Sequence, residues 1–326
     1  MNPEYFDVIL LDMVGVPYSG LTPRYTGLGG SEFETLLLAE SLAKKNLKVL
    51  ILNKTGAISI EYGVTYYPIT ILDFRNFKCK NLIALRNSPI PYEKIDFDNV
   101  FIWTTDLPNN ESFIHFANWC GKGRPGTLVC VSDWQKSMYP PEWNVKTIYN
   151  MLPDWVYDYK AEKNKNNYIY ASAAMKGLPQ TIEMWKEHKK NYFLKKANLS
   201  VCSPGYDSVD MDVMNKNKIS FLGNLPFHDV VETIGKSGFM YYVNTHPETF
   251  CIVAALAEAV NTPVMGLCLA NPGALPEVLT GPFLTNNQEE FTKNIMETAK
   301  NYPAQVNKKD YRISKILPQW LSLLKE

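Results

Sequence analysis

YTGLGGSEFETLLLAESLAKKNLKVLILN, residues 25–53, decides how the chain reads. The adjacent glycines Gly29 and Gly30 run straight into a helical pattern, which gives way to a strand pattern at 47–53. Ser31 and Glu34 have the S-x-x-E spacing of a capping box, which predicts a helix beginning at Ser31 and continuing to Lys45. A glycine pair just ahead of a helix N-terminus meets free amides and a positive dipole end, where a phosphate is well placed. The other reading is a tight turn that lets strand and helix pack. The pattern is not G-x-G-x-x-G, and Gly27 does not make it so.

Outward from that stretch the first half alternates. FDVILLDM (6–13), LIALRN (82–87), NVFIWTTD (99–106) and GTLVCVSD (126–133) are short apolar runs that end in polar residues. Such runs separated by helices predict a parallel sheet covered on both faces. VKTIYNMLPDW (145–155) reads as a last strand entering a linker, and the polar AEKNKNNY (161–168) follows it. The second half repeats the rhythm. YIYASA, ANLSVCSPG, KISFLGN, GFMYYVNT and TPVMGL read as strands. GLPQTIEMWKEHKKNY, HDVVETIGKS, TFCIVAALAEAVN and NQEEFTKNIMETAKN read as helices between or after them. Two α/β domains are expected, and ligands of such sheets bind beyond the carboxyl ends of the strands. The cleft between the two is the natural place for a site.

The 326 residues suffice for two cores, with 46% hydrophobic and 13% aromatic content. Formal net charge is zero, which argues against nucleic-acid binding through a general basic field. The longest apolar runs fall far short of the roughly 18 residues that span a bilayer. The start, MNPEYFDVILLDM, lacks the basic residues of a secretory signal. The six cysteines, at 79, 120, 130, 202, 251 and 268, form no C-x-x-C pair and read as buried reduced thiols of a cytoplasmic protein.

The second half offers a matching set of loops. Lys176 and Gly177 follow one strand, His246, Pro247 and Glu248 follow another just before a helix, and NPGALPEVL (271–279) follows a third. A cation and amide-rich turns suit a diphosphate, and a carboxylate suits sugar hydroxyls. Each group also has a plain role, as a solvated lysine or as a charge at a helix N-terminus.

These residues carry a resemblance to the GT-B glycosyltransferases, specifically the retaining family 4, also called group 1. The matching pieces are GLGGSE (27–32), VSDWQ (131–135), MKGL (175–178), HPETFCIVAALAEA (246–259), TPV (262–264), GALPEVL (273–279) and the terminal YRISKILPQWLSLLKE (311–326). The resemblance implies two Rossmann-like parallel-sheet domains facing a central cleft: 1–150 on the acceptor side and 151–305 on the nucleotide-sugar side. It also implies a helix at 306–326 packing back on the N-terminal domain. The implied activity transfers a sugar from a nucleotide diphosphate-sugar to a saccharide, lipid-linked or protein-linked hydroxyl, with retention, without metal and without a cofactor. By position, Gly29 and Gly30 would approach the donor phosphates and Lys176 would hold the diphosphate. Glu248 would bond sugar hydroxyls, the amides of Thr249, Phe250 and Cys251 would lie near the phosphates, Gly223 and Asn224 near the nucleoside, and Asp106 would face the acceptor.

The chain departs from that pattern at Leu256, where the family places a ribose-binding glutamate, at Ala171, where an arginine is common, and at Thr105, where a histidine is common. Glu258 is about 200° round the helix from Leu256 and points elsewhere. The departures keep open a GT-B domain that binds a sugar nucleotide or a partner without turnover, and a nucleotide-sugar epimerase of the same fold is a further alternative. Two D-x-D strings, Asp96–Asp98 and Asp210–Asp212, raise the metal-dependent GT-A alternative. His115 and His188 read as structural, and His246 as a loop residue or a chemical one. Trp103, Trp119, Trp134, Tyr241 and Tyr242 read as core before sugar platform.

Overall fold

A computed structural model describes residues 3–108, 126–205, 208–281, 283–302 and 306–325. His115, Trp119 and Cys120 lie outside the described residues. The chain forms two compact units. The first comprises Met1–Thr22, Gly29–Met151 and Arg312–Glu326, and the second Pro23–Leu28 and Leu152–Tyr311.

In the first unit, β1 (Glu4–Leu11), β2 (Val49–Asn53), β3 (Ser59–Glu61), β4 (Val64–Pro68), β5 (Phe77–Leu85), β6 (Ile95–Thr104), β7 (Thr127–Cys130) and β8 (Val145–Thr147) form one sheet. Its order is β3-β4-β2-β1-β5-β6-β7-β8. Every pair is parallel except β3 with β4. The register sets Val8 beside Val49 and Ile9 beside Leu50 and Leu82, so continuous apolar runs meet at the centre. Such strands are covered on both faces, which is why they lack polar alternation. Helix Gly30–Ala43 buries Phe33, Leu36, Leu38, Ala39 and Leu42. Helix Ile313–Leu323 packs against it, and Trp320 meets Trp103 edge-on at 4.9 Å.

Two features depart from the sequence expectation. The β3–β4 hairpin turns at Tyr62 and Gly63, both in the left-handed region (φ 52° and 81°). That is the conformation of a two-residue hairpin turn, and Tyr62 hides it because Asn or Asp is the usual signal there. The connection from β5 to β6 (86–94) contains no helix and returns along the sheet carrying Ile90 into the core.

The second unit has the all-parallel order β11-β10-β9-β12-β13-β14. Its strands are β9 (Asn164–Ala171), β10 (Asn198–Cys202), β11 (Ser220–Gly223), β12 (Ser237–Asn244), β13 (Val264–Cys268) and β14 (Leu284–Thr285). β12 is buried along its whole length. The chain thus has two Rossmann-like parallel-sheet units. Cys79, Cys130, Cys202, Cys251 and Cys268 are buried free thiols. Among the described residues no helix is long and apolar enough to cross a membrane.

Trp103, Tyr241 and Tyr242 are core residues. His188 is structural: it is 4% exposed, with Nδ1 2.8 Å from the Tyr241 hydroxyl and Nε2 3.0 Å from the Thr292 hydroxyl. Burial lowers its pKa to about 4. Between that value and the ordinary 6.5 the unfolded chain binds a proton that the folded one refuses. Stability therefore falls as pH drops through this window, by about 3 kcal/mol at its acid end. Denaturant midpoints at pH 4.5 and 7 should show a smaller acid loss in His188→Gln than in the wild type; equal losses would contradict this assignment.

Candidate functional site

On the first unit, candidate side chains gather where β1, β5 and β6 end. Asp12, just past β1, is fully buried and accepts from the amides of Val14 (3.2 Å) and Gly15 (2.8 Å) and from the Tyr18 hydroxyl (3.1 Å). Arg86, just past β5, has a left-handed backbone (φ 54°). Its Nη2 donates to Glu32 Oε1 at 2.8 Å, and its Nε lies 3.8 Å from Asp106 Oδ2. Asp106 lies two residues beyond β6 with its carboxylate exposed, and its carbonyl accepts from Gln135 Nε2 at 2.7 Å. Asp12, Glu32 and Arg86 escaped the sequence reading because each sits inside or beside an apolar run. Their position at strand ends or in the first helical turn was the available signal.

The glycine pair differs in detail from expectation. The helix begins at Gly30 with Gly29 as N-cap, in extended conformation and with no side-chain cap. There is no capping box. The Ser31 hydroxyl lies 2.6 Å from that of Thr105, and the buried Glu34 accepts from the Met151 amide at 2.8 Å. Ser31 falls two residues past the N-cap, too late to cap, and both side chains turn to tertiary partners. Neither Gly29 nor Gly30 has a positive φ, and Gly30 is exposed. Backbone conformation therefore does not require glycine at either position.

On the second unit, the loops after β9, β12 and β13 converge. Lys176 Nζ reaches both oxygens of Glu248, at 3.0 and 2.9 Å, and the Tyr242 hydroxyl donates to Glu248 Oε1 at 2.6 Å. Glu248 is 4% exposed, and the Lys176 side chain is 36% exposed. Tyr242 is fully buried; burial, then Cys251 and Glu248, hold its phenol well above the ordinary range, so it stays a donor. Burial and Glu248 push the Cys251 thiol up to about 12, against the opposing charge of Lys176. Backbone fit is equally tight. Glu248 bridges to Gly273, and the Ala274 amide donates to its carbonyl at 2.7 Å. A Cβ on Gly273 would lie 2.2 Å from that carbonyl oxygen.

The remaining predicted positions are distributed as follows. Thr249 is half-buried, Phe250 packs its ring on Tyr311 at 5.0 Å, and Cys251 is the left-handed N-cap (φ 73°) of helix Ile252–Ala259. Gly223 (φ 76°) ends β11 in open space. Asn224 Nδ2 donates to the Thr26 hydroxyl (3.0 Å) and the Gly27 carbonyl (3.1 Å), a role the sequence did not suggest. His246 is exposed, 2.9 Å from the Thr245 hydroxyl. Leu256 is 1% exposed, and Glu258 accepts from the amides of Thr280 and Gly281. Ala171 is buried inside β9. One aspartate of each D-x-D string has another partner: Asp96 pairs with Lys78 at 3.1 Å, and Asp210 caps helix Met211–Lys216 through the Val213 amide.

No family model and no curated protein matches the chain by sequence. Among solved structures it is similar to Anabaena HepE in complex with UDP (13% identity, TM-score 0.64, 98% of this chain and 99% of that one). It is similar to AviGT4, a glycosyltransferase involved in avilamycin A biosynthesis (11%, 0.62, 98% and 97%). It is also similar to WaaG, a glycosyltransferase involved in lipopolysaccharide biosynthesis (14%, 0.62, 90% of each chain). These likenesses establish the GT-B fold.

The contrast between glycines is open to test. Gly273→Ala puts a Cβ in a left-handed position (φ 65°) against Glu248 backbone. It should cost about 2–4 kcal/mol, the sum of left-handed strain and overpacking. Gly30→Ala should leave thermal stability within a few degrees. Equal losses would show that packing also sets the requirement at Gly30.

Proposed function

We propose that the protein transfers a sugar from a nucleotide diphosphate-sugar to a hydroxyl acceptor, with retention and without a metal ion. The observation that carries this reading is the Lys176–Glu248 pair at the carboxyl edge of the second sheet, with contacts of 2.9 and 3.0 Å. Breaking the glycosidic bond puts negative charge on the diphosphate. A cation there stabilises the transition state more than the ground state. The first-turn amides of helix Ile252–Ala259 add a positive dipole end on the same side. Glu248 accepts from a sugar hydroxyl. Asp106 stands open on the first unit as the acceptor-side carboxylate. The case against a metal rests on Asp96 and Asp210, which are engaged with Lys78 and a helix cap. UDP bound by HepE makes a uridine donor the first to try. The buried thiols suit the cytoplasm.

A second reading, binding without turnover, is favoured by Leu256 and Ala171. Both are buried where a catalytic relative would supply polar contacts. A nucleotide-sugar panel separates the two. A ligand at a hundred times its Kd stabilises the fold by about 2.7 kcal/mol. Binder and enzyme both show that shift, and only the enzyme releases free sugar or glycosylated acceptor.

Lys176→Ala should lower turnover with the donor found by about two to three orders of magnitude. Unchanged turnover would remove Lys176 from the site. Gly30→Val should abolish donor binding while the thermal transition stays within a few degrees. Retained affinity would leave the glycine turn outside the donor site.

A further inference from the structure

Glu248 is held from every side. Its backbone is bridged to Gly273, its carbonyl accepts from the Ala274 amide, and its side chain is buried. Lys176 is the half-exposed member of the pair, on a long flexible stem. If a diphosphate draws the ammonium away, the carboxylate cannot follow it. A buried carboxylate stripped of its cation is strongly unfavourable. Among the described residues one side-chain donor remains: the Tyr242 hydroxyl, 2.6 Å from Oε1, on a ring fixed in the core. That hydroxyl stays protonated, as burial requires.

We propose that the Lys176–Glu248 ion pair is a resting state that a nucleoside diphosphate must displace, and that Tyr242 is the positioning residue that holds the Glu248 carboxylate once Lys176 has left it. This rests on the donor-site reading above. The sugar hydroxyl of a complete donor then replaces the ammonium as the second partner of Glu248, on Oε2. The ion pair competes with the diphosphate for the same cation. Removing the charge of Glu248 should therefore improve nucleoside diphosphate binding even as it removes the contact to the sugar. Tyr242 matters more in the bound state than in the free state, because in the free state Lys176 already satisfies Glu248.

The test is calorimetric affinity for UDP, GDP and ADP in the wild type, Glu248→Gln, Tyr242→Phe and the double variant, with thermal unfolding of each. Glu248→Gln should bind the preferred diphosphate about tenfold more tightly, a change of about 1.4 kcal/mol. Tyr242→Phe should bind it several-fold more weakly with its unfolding temperature within a few degrees. In the double variant the loss should vanish, because a neutral amide does not need the hydroxyl. A packing role for Tyr242 would weaken both backgrounds alike and would overturn the assignment. Glu248→Gln binding no tighter than wild type would overturn the displacement model alone. Failure of all three diphosphates to bind any of the four proteins would overturn the donor reading and this inference with it.

Discussion

Parallel strands leave no room for charged side chains in the stretches that are buried on both faces, and that constraint organises both units. β12 is buried from Ser237 to Asn244, and β1 from Val8 to Leu11. Polar groups consequently appear where strands end and the backbone turns toward a helix. Asp12, Arg86 and Asp106 follow three strands of one sheet, and Lys176 and Glu248 follow two strands of the other. The placement of these groups is therefore a product of topology, since within each unit residues far apart in sequence are delivered to the carboxyl edge of its sheet by strands that run the same way.

Burial also fixes how those groups are used. Glu248 is almost wholly enclosed, so its charge persists only with donors around it, and Lys176 and Tyr242 supply them. Arg86 is treated likewise on the first unit, between Glu32 and Asp106. The two clusters differ in exposure. Asp106 is open to solvent, whereas Glu248 is enclosed and its partner Lys176 is partly exposed. A group enclosed in this way is rigid before any ligand arrives, which is the physical content of preorganisation.

Much of this was legible from residue patterns, because continuous apolar runs and helical spacing are read locally. The Lys176, Glu248 and Gly273 loops could be named because strand ends are visible in sequence. What could not be read was pairing across distance. Glu34 looked like half of a capping box and instead bonds the Met151 amide. Asp210 looked like a metal-binding string and instead caps a short helix. Tyr242 looked like plain core and is core, yet its hydroxyl is a partner of Glu248. Arg86 sits at the end of an apolar run with a left-handed backbone, and its guanidinium reaches Glu32 across 54 residues of sequence.

The helix after Glu248 shows how small a displacement changes a residue's task. At position 256 the side chain faces the core, and leucine fills it at 1% exposure. A glutamate there would have to find donors in an apolar surrounding or remain neutral. Two residues on, Glu258 finds them in the Thr280 and Gly281 amides and the Thr280 hydroxyl, which hold its carboxylate although burial raises its pKa. Its charge is thus committed to fastening the 280–281 turn, beside Gly281, where a Cβ would meet its Oε1 at 3.2 Å. A carboxylate engaged in that way is not available to ribose hydroxyls. On the reading proposed above, a nucleotide on this unit draws no carboxylate contact to its ribose from position 256 or from Glu258.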